Sequence, residues 1–253
     1  MEPADAVAAP APSPNGDNRS PILVVEDLQA GYGRKHVVFD LDLAVEPGEI
    51  LGILGHNGSG KSTTIRTILG INQAFGGRIT FDGRDVTHAG SRRNVKAGMA
   101  MIPSERFVFP DMSVSDNLLL GGANDPDEDR RAKRLELVRE LFPILVDRAN
   151  QLAGTMSGGQ QRMVSLGMAL MASPKLLMLD EPSLGLAPAV VQQIFGTVRR
   201  LADDDGLAVL LLEQNVGQAL KIVDRCSVMR SGRVILEETA AEMLARESYW
   251  ELF

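Results

Sequence analysis

Cysteine is almost absent. Cys226 is the single thiol in 253 residues, so no internal disulfide can form, and a reducing compartment suits the chain. It lies in an apolar-alternating stretch and reads as a small core residue rather than a nucleophile. Long apolar runs are also missing: none approaches the ~20 residues of a membrane span. The N-terminus lacks the basic start and unbroken apolar stretch of a signal peptide, because Glu2 and Asp5 are acidic and prolines interrupt it. A cytosolic chain is expected, reaching any membrane through another protein. Positive charge is not in excess. Lys and Arg number 26 against 33 Asp and Glu, a formal net charge of -7, which argues against a nucleic-acid grip. No internal repeat is visible.

What is present is a core former: 44% of residues are hydrophobic, enough for one large domain or one domain with an inserted subdomain. Gly55-His56-Asn57-Gly58-Ser59-Gly60-Lys61-Ser62 is a complete phosphate-binding loop of the form G-x-x-x-x-G-K-S. The apolar run Ile50 to Leu54 precedes it as a buried strand. A helical pattern follows, with Ile65, Ile68 and Leu69 on one face and Gly70 as its stop. Glycines let successive N–H groups converge on an anion, and the helix start adds its own unpaired donors. Lys61 supplies a point charge for the β- and γ-phosphates, Ser62 a hydroxyl ligand for Mg²⁺, and Thr63 extends the cradle. His56 serves through its backbone.

Taken in order, residues 1–20 read as a disordered tail rich in Ala, Pro, Asn and Asp. Ile22–Leu28 and Val37–Val45 are expected strands, with Gly31-Tyr32-Gly33 as a turn between them. Arg78–Phe81 is strand-like and Asp82-Gly83 a hairpin signal. Met99–Ile102 is a short core strand ended by Pro103. Residues 104–154 then read as a mostly helical insertion, with Leu135, Val138, Leu141 and Phe142 at helical spacing and Asp125-Pro126-Asp127-Glu128 as a helix start. Beyond it strand and helix alternate: Leu176–Leu179, Ala189–Ala202, Ala208–Leu212, Gly217–Val223, Ser227–Arg230 and Arg233–Leu236. That alternation predicts an α/β fold with a mainly parallel sheet covered on both faces, and the phosphate loop at its carboxyl edge.

Two further segments carry chemistry. Leu176 to Glu181 is an apolar strand ending in Asp180 and Glu181. Downstream of a phosphate loop, Asp180 is placed to hold Mg²⁺ and Glu181 to act as general base on the attacking water. Ser157 and Gln160 fit a capping box, but Gly158 and Gly159 exceed what a cap needs and bare the helix start as a second anion cradle. Alone, Tyr32 reads as a surface packing residue. Phe107, Val108 and Phe109 read as core or as a docking surface, and Arg130-Arg131-Lys133-Arg134 as a solvated helix face.

In this order and spacing, GHNGSGKS, MSGGQQR and LLMLDEP resemble the nucleotide-binding subunit of an ABC transporter over roughly Ile22 to Leu244. The resemblance implies one ABC ATPase domain over 21–253. Within it a P-loop NTPase core covers 21–103 and 155–240, with an N-terminal antiparallel β part, and 104–154 is the inserted α-helical subdomain. It implies ATP and Mg²⁺ as cofactors, ATP hydrolysis, and two cassettes paired head to tail. Each nucleotide then lies between one phosphate loop and the other subunit's Ser157-Gly158-Gly159-Gln160. Tyr32 would stack on adenine. The implied partners are integral-membrane permeases, a second ATPase subunit and, indirectly, a periplasmic solute-binding protein, at the cytoplasmic face of the inner membrane and without nucleic acid. A soluble ABC ATPase acting on nucleic acid would usually need tandem cassettes or long coiled-coil insertions, and neither is present.

EPSLGLAP (Glu181–Pro188), LLEQN (Leu211–Asn215) and FVFPDMSVSDNL (Phe107–Leu118) resemble, more narrowly, the ATP-binding subunits for branched-chain amino acid uptake, with amide or urea importers as the alternative. Gln214 takes the place of a histidine usual in the wider family. It can hydrogen-bond the γ-phosphate but cannot titrate. The narrower group places Glu directly after the proline, whereas this chain has Ser104 there and Glu105 one step later. Neighbouring side chains of an extended segment point to opposite sides. Glu105 is therefore expected to reach the metal only if the chain bends sharply after Pro103, with Ser104 as the competing candidate.

Overall fold

The structure is a computed structural model that describes residues 20–105, 107–246, 248 and 250–252; the expected tail falls almost wholly outside them. From the N-terminus come β1 (Leu23–Tyr32), β2 (Lys35–Val45), β3 (Ile50–Leu54), α1 (Lys61–Ile68), β4 (Ala74–Phe81), β5 (Arg84–Asp85), α2 (Ser91–Ala97) and β6 (Met99–Ile102). A helical stretch follows, with α3 (Val114–Gly121), α4 (Glu128–Leu141), α5 (Pro143–Asp147) and α6 (Gly158–Met171). The chain then returns to alternation through β7 (Leu176–Asp180), α7 (Pro188–Asp205), β8 (Ala208–Glu213), α8 (Val216–Ala219), β9 (Arg225–Arg230), β10 (Arg233–Thr239) and α9 (Ala240–Ala245).

The central sheet has the strand order β10-β9-β3-β8-β7-β6. Every neighbouring pair is parallel except the β10–β9 edge. Strands β3, β7 and β8 are buried at every position, with no polar side chain before the terminal Asp180 and Glu213, because both faces are covered. In β3, Ile50 and Leu54 enter one core while Leu51 and Ile53 enter the other; in β7 the same split separates Leu177 and Leu179 from Leu176 and Met178. One core is closed by α6, α7 and the helical stretch. The other is closed by α1 and by a second sheet of order β2-β1-β4-β5, wholly antiparallel. The expected α/β class is therefore found.

Several local expectations shift. Gly31 and Tyr32 remain in β1, and the turn tightens to Gly33 and Arg34. β4 begins at Ala74, ahead of the expected start at Arg78, because Gly76-Gly77 is absorbed into a bulge. The β1–β4 register slips between Glu26 and Gln29, and Gly77 (φ 84) lies so close to β1 that a Cβ would sit 2.5 Å from the Asp27 carbonyl oxygen. The helix α2, not foreseen, is polar throughout except Val95 and Ala97. It is held by buried Asn94, whose amide donates to the carbonyls of Ile68 and Leu69 at the end of α1. Of the expected helix start, Asp125 and Pro126 fall outside α4: Asp127 is the cap, accepting from the Arg130 N–H at 3.0 Å, while Asp125 pairs with the Arg130 side chain. Past Asn215 regular helix lasts only from Val216 to Ala219.

The helical stretch packs on α6 at close range. Val138, Leu141, Phe142 and Leu145 share a core with Leu166 and Leu170. Gly121 lets α3 approach the α6 backbone, since a Cβ there would stand 2.2 Å from the Met168 carbonyl oxygen. Backbone against backbone leaves nothing soft to yield. Gly121→Ala is therefore expected to lower stability by about 1–3 kcal/mol. Urea denaturation checks this; an unchanged midpoint would show that the contact relaxes freely.

Candidate functional site

Parallel pairing sets which strand ends meet. Leu54 pairs with Glu213, Asp180 with Leu212, and Ile102 with Leu179. The residues that follow β3, β8, β7 and β6 therefore leave one edge of the sheet side by side. This brings together the phosphate loop, Gln214, the Asp180-Glu181 corner and the Pro103-Ser104 segment.

The loop from Gly55 to Gly60 curls as its glycines permit. Gly58 (φ 82) and Gly60 (φ 114) both lie in left-handed conformations that L side chains rarely adopt, and Gly60 opens α1 with no side-chain cap. His56, Asn57 and Gly58 are exposed at the tip. Lys61, only 4% exposed, folds its ammonium back to donate to the carbonyls of Gly55 (2.7 Å) and His56 (3.2 Å). Its charge also lies 3.2 Å from Glu181 Oε1. The next residue reaches the same corner: Ser62 Oγ donates to Asp180 Oδ1 at 2.9 Å.

Asp180 is buried, and its Oδ2 has no hydrogen-bond partner among the described residues. Burial raises its pKa and the neighbouring Glu181 charge adds to that, against the Ser62 hydrogen bond. A buried, half-satisfied carboxylate beside a serine hydroxyl is a set of oxygen donors that fits a hard divalent cation. Glu181 occupies a left-handed conformation (φ 48) that costs a non-glycine residue about 1–3 kcal/mol. Its N–H donates to Leu212 O at 3.0 Å, which holds the corner in place.

Tyr32 stands at the end of β1, 47% exposed. Its hydroxyl accepts from Thr63 Oγ1 at 3.4 Å, beside the phosphate loop. Gln214 is exposed at the end of β8. Ser157 caps α6 in a reciprocal box: Gln160 N–H donates to Ser157 Oγ, and Ser157 N–H to Gln160 Oε1. Ser157 and Gly158 are exposed there, while Gly159 is buried against Val190. Cys226 is buried, and burial pushes its thiol up to about 12, consistent with a core role. Of the aromatic cluster, Phe107 and Val108 pack against the core and Phe109 is exposed.

The chain bends at Ser104 and Glu105. It is exposed, with no ion pair to a described residue, and Ser104 is half-buried. The bend serves Arg162 of α6, whose guanidinium donates to the carbonyls of Pro103 and Ser104. Arg162 was not foreseen; the available signal was a charge four residues before Leu166 on an otherwise apolar stripe. Glu213 was missed too. Buried at the end of an all-apolar strand, it accepts from Ser183 N–H and Oγ, both at 2.9 Å, and so steadies the loop after Glu181. Burial raises its pKa.

Comparison with known proteins agrees with this arrangement. The family model for ABC transporters matches residues 38–184. The chain is 42% identical over 223 residues to the high-affinity branched-chain amino acid transport ATP-binding protein BraG of Pseudomonas aeruginosa, covering 88% of this chain and 95% of that protein. It is 36% identical to the probable branched-chain amino acid transport ATP-binding protein LivF of Archaeoglobus fulgidus (89% and 95% covered). It is also 34% identical to the lipopolysaccharide export system ATP-binding protein LptB of Escherichia coli (89% and 93%). Among solved structures, the ADP conformation of an ATP-binding cassette of an ABC transporter superposes with a TM-score of 0.82 at 28% identity, over 92% of this chain and 98% of that one. No helix among the described residues is long and apolar enough to cross a membrane. The chain belongs to the ABC transporter family, as an ATP-binding, ATP-hydrolysing cassette.

Proposed function

We propose that this cassette drives uptake of branched-chain amino acids, and that its hydrolytic machinery is Lys61, Ser62, Asp180 and Glu181. The observation that carries the machinery is the convergence of the Lys61–Glu181 pair (3.2 Å) and the Ser62–Asp180 hydrogen bond (2.9 Å) at one sheet edge. ATP phosphates approach the exposed backbone of His56 to Gly58 and draw the Lys61 ammonium from its carbonyl and carboxylate partners. Glu181, relieved of its cation, is then free to accept the proton of a water attacking the γ-phosphorus. The P–O bond to ADP breaks as the new one forms. Ser62 and Asp180 would hold Mg²⁺, which when bound neutralises charge on the phosphate oxygens; Glu105, exposed here, would join them only after a rearrangement of its loop. Gln214 hydrogen-bonds the γ-phosphate, Tyr32 stacks on adenine, and Thr63 and Ser59 complete the cradle.

The cap at Ser157, Gly158, Gly159 and Gln160, exposed at its first two residues, completes the site of a second cassette paired head to tail. Residues 21–253 act as one ATPase domain in which 104–154 is the helical subdomain. The working assembly adds permeases and a periplasmic solute-binding protein at the cytoplasmic face of the inner membrane. The substrate assignment rests on the two branched-chain relatives and on Gln214, and leucine uptake tests it. A strain lacking this chain is expected to lose high-affinity uptake of radiolabelled leucine, isoleucine and valine. Loss of amide or urea uptake alone would favour the alternative importer.

Two variants test the chemistry. Lys61→Ala is expected to lower ATP turnover by about 10²-fold or more, since one preorganised cationic partner of the transferring group is gone; wild-type rates in the assembled complex would refute the phosphate-loop assignment. Glu181→Gln is expected to keep ATP binding while turnover falls by about 10²–10⁴-fold, because an amide is a poor proton acceptor. The stalled protein should elute as an ATP-dependent dimer in size exclusion, and normal turnover would remove Glu181 as the base.

A further inference from the structure

At the sheet edge opposite the phosphate loop, where β7 and β8 begin, lies a cleft of about 260 Å³. That is just below the roughly 300–1,000 Å³ of drug-sized pockets and suits a small metabolite. Leu170 of α6, Leu201 of α7 and Leu207 give it an apolar floor, each no more than 6% exposed. Arg134 of α4 and Asp205 at the end of α7 line it as well.

The charges around this floor are unevenly satisfied. The basic run of α4 is not one solvated face. Arg130 pairs with Asp125 and Arg131 with Glu128, whereas Arg134 is half-buried and has no ion pair among the described residues. The last turn of α7 repeats this with the opposite sign. Asp203 pairs with Arg199 and Asp204 with Arg200, each four residues back, but Asp205 has no ion pair among the described residues. A carboxylate at a helix C-terminus also meets the negative end of the helix dipole, so Asp205 stands where a cation is wanted. Lys175, which lines the same cleft, is already engaged by Asp82 at 2.6 Å. Arg134 and Asp205 therefore border one cleft without pairing with each other. Ser173 in the same lining has a left-handed backbone (φ 52), and its buried Oγ has no hydrogen-bond partner among the described residues.

Opposite charges held apart over an aliphatic floor are the complement of a zwitterion with an aliphatic side chain. Arg134 offers a planar fork to a carboxylate. Asp205 and the negative end of α7 suit an ammonium. A simple anion would be repelled by Asp205, and a hydrocarbon would desolvate both charges without pairing either. We propose that this cleft binds a free aliphatic amino acid, its carboxylate on Arg134, its ammonium on Asp205 and its side chain on Leu170, Leu201 and Leu207, so that the cassette senses the class of solute its transporter delivers. The sensing role rests on the uptake function proposed above; the binding site does not. An occupant held from both sides favours the arrangement in which α4 and the end of α7 both reach it, and so slows a cycle that must leave that arrangement.

Isothermal titration of the full-length chain with L-leucine is expected to show saturable binding. 4-Methylpentanoate, which lacks the ammonium, and 3-methylbutylamine, which lacks the carboxylate, should each bind about tenfold or more weakly, the worth of one charge-assisted contact. Asp205→Asn should weaken leucine but not 4-methylpentanoate, and Arg134→Gln should weaken leucine but not 3-methylbutylamine, a pattern that general destabilisation does not produce. Saturating leucine should lower wild-type ATP turnover about twofold or more and leave turnover of both variants unchanged. Absence of saturable leucine binding would overturn the site, as would binding that neither substitution alters. Binding without any effect on turnover would overturn the sensing role. Retained leucine uptake in a strain lacking this chain would sink the uptake function, while a charge-dependent titration would still support the site.

Discussion

Parallel pairing in register across β3, β8, β7 and β6 is the constraint from which the site follows. Each of these strands is apolar on both faces, so each is buried on both faces and must pair through its backbone on both edges or cap the sheet. A one-residue slip would exchange the side chains presented to the two cores, and the cores differ: helices α6 and α7 close one, α1 and the antiparallel sheet the other. Register is therefore set by packing over the length of the sheet. Polar residues can begin only where the apolar strands stop, and they stop at the same edge. That is why Gly55, Ser104, Asp180 and Gln214 meet despite their separation along the chain.

At that edge the two charged groups of the site, Lys61 and Asp180, are only partly satisfied. Lys61 is nearly buried, yet its partners are two carbonyls and one carboxylate, all in segments bordering the exposed loop tip. Asp180 keeps one buried oxygen without a hydrogen-bond partner among the described residues. Glu213, by contrast, is saturated by Ser183 and serves as a fixed post. The strain at Glu181 is stored between these neighbours, where the Leu212 carbonyl and the Ser183 loop over-determine its backbone. A carboxylate held in place by its surroundings, and not by its own partners, is free to exchange a cation for a proton.

Helix α6 is the shared spine of the two halves of the molecule. Its buried face carries Leu166 and Leu170 into the core beneath the sheet. Its glycine-lined side receives the helical stretch, where a Cβ at Gly167 would meet Leu118 at 2.6 Å and Val138 at 2.9 Å. Its first turns carry the capping box and Arg162. Contacts this close transmit displacement with little loss, because close-packed interiors are nearly incompressible. The helical stretch and the hydrolytic edge are thus mechanically joined through one element.

Much of this was legible in the sequence because the responsible physics is local. A glycine pattern that demands left-handed backbone at Gly58 and Gly60, an all-apolar run of strand length at Ile50–Leu54, and a Ser-x-x-Gln cap at Ser157–Gln160 each act within a few residues. So does the strand end at Asp180 and Glu181, since polarity changes where burial stops. The tertiary structure alone decided the rest. The strand expected from Arg78 starts at Ala74, because the approach of Asp27 turns Gly76-Gly77 into a bulge. Asp125 stands first in the expected helix start, yet Asp127 is the cap, and Asp125 pairs with the Arg130 side chain. Glu105 carries the charge suited to a metal, yet the bend after Pro103 presents its carbonyls to Arg162, almost sixty residues away, and leaves the carboxylate in solvent. Glu213 drew no reading from the sequence; it is held buried because Ser183 reaches it from the loop after the neighbouring strand. In each of these cases the energy that settles the conformation comes from a partner distant in sequence, and a one-dimensional pattern holds no record of that distance.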